Sequence, residues 1–328
     1  MLLGLLLLPF YIFYSCFGFQ RIGDLVWTAG DSRARGFLLG ATAGRTTLSG
    51  EGLQHEDGSS HLLFSTVPNC VAYDPTYGYE VVTIIQDGMK RMLEKQHDVF
   101  YYVTVMNENY CHPSMPKDAE VGIIKGMYCL QKNKQSATAH AQLLGSGTIL
   151  RETLAASELL KSDWKVSTDV WSVTSFTELR RDGLCIDREN MYSSNSPDKA
   201  TWVEKCLGST IGPIIASTDY MRAVPDMIRT WVPRRYVTLG TDGYGRSDTR
   251  KSLRDFFEVD RFYIVVAALT SLVEANMASR TNLIFSAFLY KASCSFLFKS
   301  PKRSVASLDV LSFSFNCFRF SFIIILIS

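Results

Sequence analysis

Several absences bound this chain before any motif does. None of its eight cysteines in 328 residues stands in a CxxC pair or any other paired spacing, which excludes a zinc ribbon and a disulfide scaffold. We read them as reduced thiols of an intracellular protein. Charge of one sign is also lacking: 34 Lys and Arg face 32 Asp and Glu, a formal net charge of +2, so no nucleic-acid footprint and no electrostatic membrane binding is expected. No H-E-x-x-H helix, Ser/His/Asp order or carboxylate pair nominates a hydrolase or metalloenzyme. No repeat of solenoid period is present. What remains is 47% hydrophobic and 20% charged, a globular composition long enough for roughly two domains.

Both ends are apolar. Residues 1–19 carry no charge, a length compatible with a membrane span, but there is no basic leader, Pro9 lies in the middle, and the segment runs straight into amphipathic sequence. A membrane role is therefore not expected. The Phe/Ser/Ile-rich C-terminal tract is broken by Arg319, leaving too few residues to span. It reads as low-complexity sequence.

Residues 9–58 change character three times. Residues 10–19 are apolar and aromatic; residues 20–35 alternate Ile22, Leu25, Val26 and Trp27 with charge, as a helix with one buried face does. Residues 36–58 then hold six glycines among Thr, Ser and charged residues, which predicts a loop. Loops on a rigid scaffold carry much of a protein's chemistry. His55 stands in this one beside Glu56 and Asp57, where neighbours can tune an imidazole near neutral pH.

Further on, residues 61–74 read as an extended run ending at the Asp74-Pro75 turn signal. Residues 79–95 space Val81, Val82, Ile84, Ile85, Met89, Met92 and Leu93 as a helix with an apolar stripe, Gly88 being a mild defect. Residues 98–106 read as a strand, and the prolines of NENYCHPSMP mark a domain boundary. The second half alternates: strand then glycine turn over 141–150, helix over 152–162, strand over 166–176, short helix over 178–184, strand over 212–218, helix over 219–232, strand over 235–243, helix over 248–259. Such alternation means crossover units and a mainly parallel sheet. From about Val273 the pattern dissolves.

Three clusters invite chemistry. Gly145-Ser146-Gly147 between strand and helix could cradle an anion, although the later glycine and lysine of phosphate-binding fingerprints are missing. The run from Asp242 to Asp248 turns the chain and caps the next helix. Glu108 and His112 stand together at a strand end. The residues alone give an α/β protein with a glycine-rich, histidine-bearing loop, and no reaction.

Seven segments go further: FYIFYSCFGFQRIGDL, GRTTLSGEGLQHEDG, NENYCHPSMP, LLGSGTILRE, DVWSVTSFTELRRDG, ASTDYMRA and LGTDGYGRSDTR. Together they resemble the homodimeric-type decarboxylating component of the pyruvate dehydrogenase complex, a transketolase-like family, over roughly residues 9–272. The resemblance implies two transketolase-like α/β domains with mainly parallel sheets flanked by helices: an incomplete aminopyrimidine-binding middle domain over 1–115 and a C-terminal domain over 116–272. Residues 273–328 would be a divergent, poorly ordered tail. It implies thiamine diphosphate as cofactor, with magnesium held in an N-terminal domain that the chain lacks. Phe17 resembles the ring packed on the aminopyrimidine, Tyr14 the hydroxyl donor near the substrate-derived carboxylate, and His55 the active-centre histidine; no metal ligand is carried over. Partners implied are a second subunit in a homodimer, the lipoyl-bearing dihydrolipoyl acyltransferase component and pyruvate, in the cytoplasm or mitochondrion. Inactivity of the chain alone follows from the same reading. A non-catalytic partner of a full-length enzyme and a transketolase fragment are the alternatives. Residues 1–19 become a buried element of the middle domain.

Overall fold

The computed structural model describes residues 8–133, 139–192 and 198–275. In chain order the first part comprises strand β1 (Phe10–Phe13), helix α1 (Ser15–Asp31), β2 (Phe37–Gly40), α2 (Ser60–Phe64), β3 (Cys70–Tyr73), α3 (Gly78–Met89), β4 (Phe100–Thr104) and α4 (Glu120–Lys125). The second comprises β5 (Met127–Gln131), β6 (His140–Gly145), α5 (Ile149–Trp164), β7 (Ser167–Val173), α6 (Phe176–Tyr192), α7 (Trp202–Leu207), β8 (Ile214–Ser217), α8 (Ala223–Asp226), β9 (Tyr236–Leu239), α9 (Arg250–Phe256) and α10 (Arg261–Glu274).

Two sheets result, with strand orders β1-β2-β4-β3 and β5-β7-β6-β8-β9. Every pairing in the first is parallel. In the second only β5 runs antiparallel, against β7. Parallel strands need crossover helices, and those helices bury both faces of each sheet. Phe37, Val71, Tyr73, Tyr101 and Val103 pack beneath α3 in one core; Leu143, Ala156, Ile215, Ala268 and Leu272 join β6, α5, β8 and α10 in another. The α/β architecture with mainly parallel sheets is thus the observed one.

Gly88 is no defect: a Cβ there would lie 2.8 Å from the Phe37 ring and 3.1 Å from Tyr101, so glycine lets α3 sit directly on the aromatic core. Residues 36–58 are not loop throughout, because Phe37–Gly40 forms β2 between β1 and β4. Nor is the described part of the opening segment buried throughout: β1 has a single strand neighbour, and Phe10, Tyr11 and Ile12 are 48%, 57% and 64% exposed, while residues 1–7 lie outside the described residues. The run read as extended over 61–74 begins as α2 and becomes a strand only at Cys70.

The helix expected over 219–232 shrinks to α8 and a tight turn, Arg229–Trp231. Its first backbone donors are taken elsewhere, since Met221 N donates to Gly58 O (2.9 Å) and Arg222 N to Asp242 Oδ1 (2.9 Å). The short helix over 178–184 extends to all of α6, while β5, α4, α7 and α10 fall where no element was assigned. Of the expected poorly ordered tail, residues 273–275 close α10 and residues 276–328 lie outside the described residues. No helix among the described residues is long and apolar enough to cross a membrane.

Candidate functional site

The candidate site begins where β1 ends. Tyr14 is the N-cap of α1, with extended backbone (φ −60°, ψ 122°), and Phe17 N donates to Tyr14 O at 3.0 Å. Three residues apart at a helix start, the two rings lie on one side of the chain, with centroids 6.2 Å apart. The segment that leaves β2 brings in the third group: a tight turn, Leu53–His55, sets the His55 ring 5.1 Å from Tyr14 and 4.9 Å from Phe17. Arg21, one turn along α1, places its guanidinium 4.0 Å over the Phe17 ring, a cation–π contact. Tyr14 is 50% exposed. Tyr14, Phe17 and His55, selected from the sequence, are therefore brought together.

What holds the His55 segment comes mostly from the second sheet. Asp219, just past β8, accepts from Thr46 N (2.9 Å) and Oγ1 (2.6 Å) and from Thr47 N (3.2 Å) and Oγ1 (2.7 Å). Arg45 donates through Nη1 to the carbonyls of Thr241 and Gly243. Glu56 Oε2 accepts from Arg246 N at 2.5 Å, and Gly50 N donates to Asp248 O at 3.0 Å. The glycine-rich run over 242–248 thus seats the His55 loop as well as turning the chain. Gly58 permits the close packing, since a Cβ there would lie 2.2 Å from the Arg45 guanidinium.

Burial sets the electrostatics. Glu56 is 1% exposed, and desolvation pushes its carboxyl up to about 7 against the lowering influence of the Arg246 amide and Arg45. Desolvation lowers Arg45, opposed chiefly by Asp57. Cys16 rises to about 11 through burial and then the Asp57 charge, which makes it an inert thiol rather than a nucleophile. Among the described residues, seven buried side-chain polar atoms lack a hydrogen-bond partner, and four of them belong to this loop: Arg45 Nε, His55 Nδ1, Glu56 Oε1 and Asp57 Oδ2. His55 Nδ1 has Glu51 Oε2 only at ion-pair range, 3.5 Å. Such atoms in a native fold call for a ligand, a water or a functional role.

The other clusters serve the scaffold. His112 Nδ1 accepts from Gly78 N (2.8 Å) at the start of α3 and stacks on Tyr110. Glu108 pairs with Arg151 (2.6 Å) and with Arg254, which holds its carboxyl below the usual range. In the turn before α5, Ser146 Oγ donates to Thr218 (2.9 Å), while Gly147 O accepts from Thr76 Oγ1 (2.7 Å). That turn joins the two sheets.

Comparison with known proteins decides the family. Residues 4–113 match the pyruvate dehydrogenase E1 component middle domain, and residues 126–260 the transketolase-like C-terminal domain. The pyruvate dehydrogenase E1 component of Pseudomonas aeruginosa is 63% identical over 269 residues, covering 82% of this chain and 30% of the relative. That of Escherichia coli K12 is 54% identical over 270 residues, with the same coverage. The chain belongs to the pyruvate dehydrogenase E1 family. It spans about 30% of the length of these curated relatives. The fold agrees with solved transketolases: that of Campylobacter jejuni superposes with a TM-score of 0.60 at 18% identity over 80% of this chain and 35% of its own, and that of Leishmania mexicana with 0.61 at 16% over 85% and 36%.

In this pyruvate dehydrogenase E1 chain, sequence reasoning marked Glu56 and Asp57 only as neighbours of His55 and missed Arg45 and Asp219. One signal was available for Asp219: an aspartate two residues past a buried strand, where ligand-facing loops of parallel sheets begin.

Proposed function

We propose that this chain supplies one wall of the thiamine diphosphate site of a pyruvate dehydrogenase E1 enzyme, and that Phe17 is its cofactor-contacting residue while Tyr14 and His55 face the substrate. The observation that carries the reading is the convergence of three rings, drawn from two separate segments, at 4.9–6.2 Å.

The residues present suit a heteroaromatic, hydrogen-bonding group. Phe17 offers a half-buried ring backed by the Arg21 cation, and the unpartnered buried His55 Nδ1 and Glu56 Oε1 lie in the adjoining loop. They do not suit magnesium: among the described residues no group of three His, Cys, Asp or Glu side chains converges on a point, and no step is assigned to a metal. Thiamine diphosphate, when bound, supplies the electron sink for decarboxylation. The chain's own residues then position and polarise. The Tyr14 phenol donates a hydrogen bond to an anionic oxygen, and the His55 imidazole donates to or accepts from the substrate as protonation requires.

On this reading the reaction is oxidative decarboxylation of pyruvate with acetyl transfer to the lipoyl group of a dihydrolipoyl acyltransferase. Residues 1–115 act as the middle domain and 116–272 as the C-terminal domain, in an intracellular homodimer. Labelled pyruvate with the purified chain alone is expected to release no carbon dioxide. Co-expression with the remaining portion of the Pseudomonas aeruginosa relative is expected to restore release, and His55→Ala to cut it by about 10²–10³-fold, the range for losing one positioned donor. A well-folded complemented complex whose turnover is indifferent to His55→Ala would refute the assignment.

A further inference from the structure

Away from the ring cluster, the seam between the two sheets holds a second polar centre. Asp74, just past β3, is buried, and its backbone already bridges the sheets: Asp74 N donates to Thr174 O (2.7 Å), and Gly147 N donates to Asp74 O (3.3 Å). Its side chain is only half satisfied. Oδ1 accepts from Thr104 Oγ1 (2.7 Å), at the end of β4, and from the Tyr220 hydroxyl (3.4 Å), past β8. Oδ2 has no partner. Beside it lies a cavity of about 10 Å³ whose polar lining is His61, Asp74, Ser146, Ser175, Thr177 and Tyr220. That volume is close to the lower limit for one water, and a water needs two to four polar partners, which this lining provides. Leaving a carboxylate oxygen unpaired in such surroundings is costly.

We propose that this cavity is a binding site for a single water molecule, which donates to Asp74 Oδ2 and makes the contact between the two sheets proton-linked at Asp74.

The charges around Asp74 support the linkage. The neighbouring carboxylate Asp219 opposes its ionisation, and His61, which lines the same cavity and hydrogen-bonds Thr104 at 3.2 Å, is pushed down to about 3 by burial and so is neutral. The phenols of Tyr102, Tyr110 and Tyr220 also feel its charge, and burial keeps all three protonated. Burial accordingly raises the Asp74 carboxyl to about 7, with Thr104 and Tyr220 as the opposing donors. A neutral carboxyl at one pH and an anion at another ask different things of one water, which can donate to the anion or accept from the acid.

The site stands apart from the thiamine reading, since none of its residues belongs to the ring cluster. It is tested on the purified chain by a high-resolution crystal structure and by ¹³C titration of aspartate carboxyls. We expect density within hydrogen-bonding distance of Asp74 Oδ2 and one carboxyl titrating near 7, a signal absent from Asp74→Asn. A dry cavity, or an Asp74 carboxyl titrating below about 5, would overturn the proposal. If Asp74→Asn fails to fold, assignment by residue-selective labelling of the unmutated chain gives the same two readouts.

Discussion

Asp219 is the most exposing place to perturb the candidate site, because it touches none of its rings yet fixes the segment that carries one of them. In Asp219→Ala the two backbone amides of Thr46 and Thr47, now paired at 2.9 and 3.2 Å, lose their acceptor inside a region where both threonines are fully buried. The hydroxyls lose theirs too, but Thr47 Oγ1 retains Thr148 Oγ1 at 2.5 Å, so the cost concentrates on the amides. Each stranded donor costs about 1–3 kcal/mol, and removing one partner of a buried charged network costs about 3–5 kcal/mol; the two routes converge near 4 kcal/mol. Asp219→Asn keeps one acceptor oxygen but turns an amide nitrogen toward the other threonine, for about half that loss. Urea unfolding followed by tryptophan fluorescence gives the stabilities, and hydrogen exchange across residues 45–58 shows whether the His55 loop loosens selectively. A loss below about 1 kcal/mol for the alanine variant, well under the range for a buried partner, would refute the reasoning. So would equal losses for alanine and asparagine.

Two further tests probe the same loop. Glu56 has a folded-state carboxyl raised from 4.5 to about 7, so the folded chain binds more protons than the unfolded one between those values and its stability falls as pH rises through that window; Glu56→Gln should flatten this slope between about pH 5 and 8, and an unchanged slope in urea midpoints would contradict the assignment. Gly58→Ala places a Cβ 2.2 Å from the Arg45 guanidinium, and overpacking of this kind costs about 1–3 kcal/mol; a thermal midpoint equal to the parent's would show that Arg45 can move aside.

Periodicity located most of the repeating elements because their signal is local. The stripe of α3 and the β-branched runs of β4, β7 and β8 could be read directly. β2 could not, because Phe37–Gly40 is four residues among glycines and becomes a strand only by pairing with both β1 and β4. The helix after β8 failed for the converse reason: residues 221 and 222 have helix-compatible side chains, but Gly58 and Asp242 claim their amides. At the site, family resemblance named the three rings; composition alone marked residues 10–19 only as apolar and aromatic. Nothing local in Asp219 or Arg45 announces their role, since their partners lie 173 and 196 residues away.

Those separations bear on how the protein is made. The His55 loop is anchored by Asp219, Thr241, Gly243 and Arg246, all of which leave the ribosome long after it does. At roughly 5–20 residues per second, synthesis of the intervening ~200 residues takes about 10–40 s. Throughout that time Arg45 and Glu56 have no partners from the second sheet, and the glycine-rich segment between them stays solvated. The wall that carries His55 is therefore among the last features of the molecule to assemble, as expected for a structure secured by its longest-range contacts.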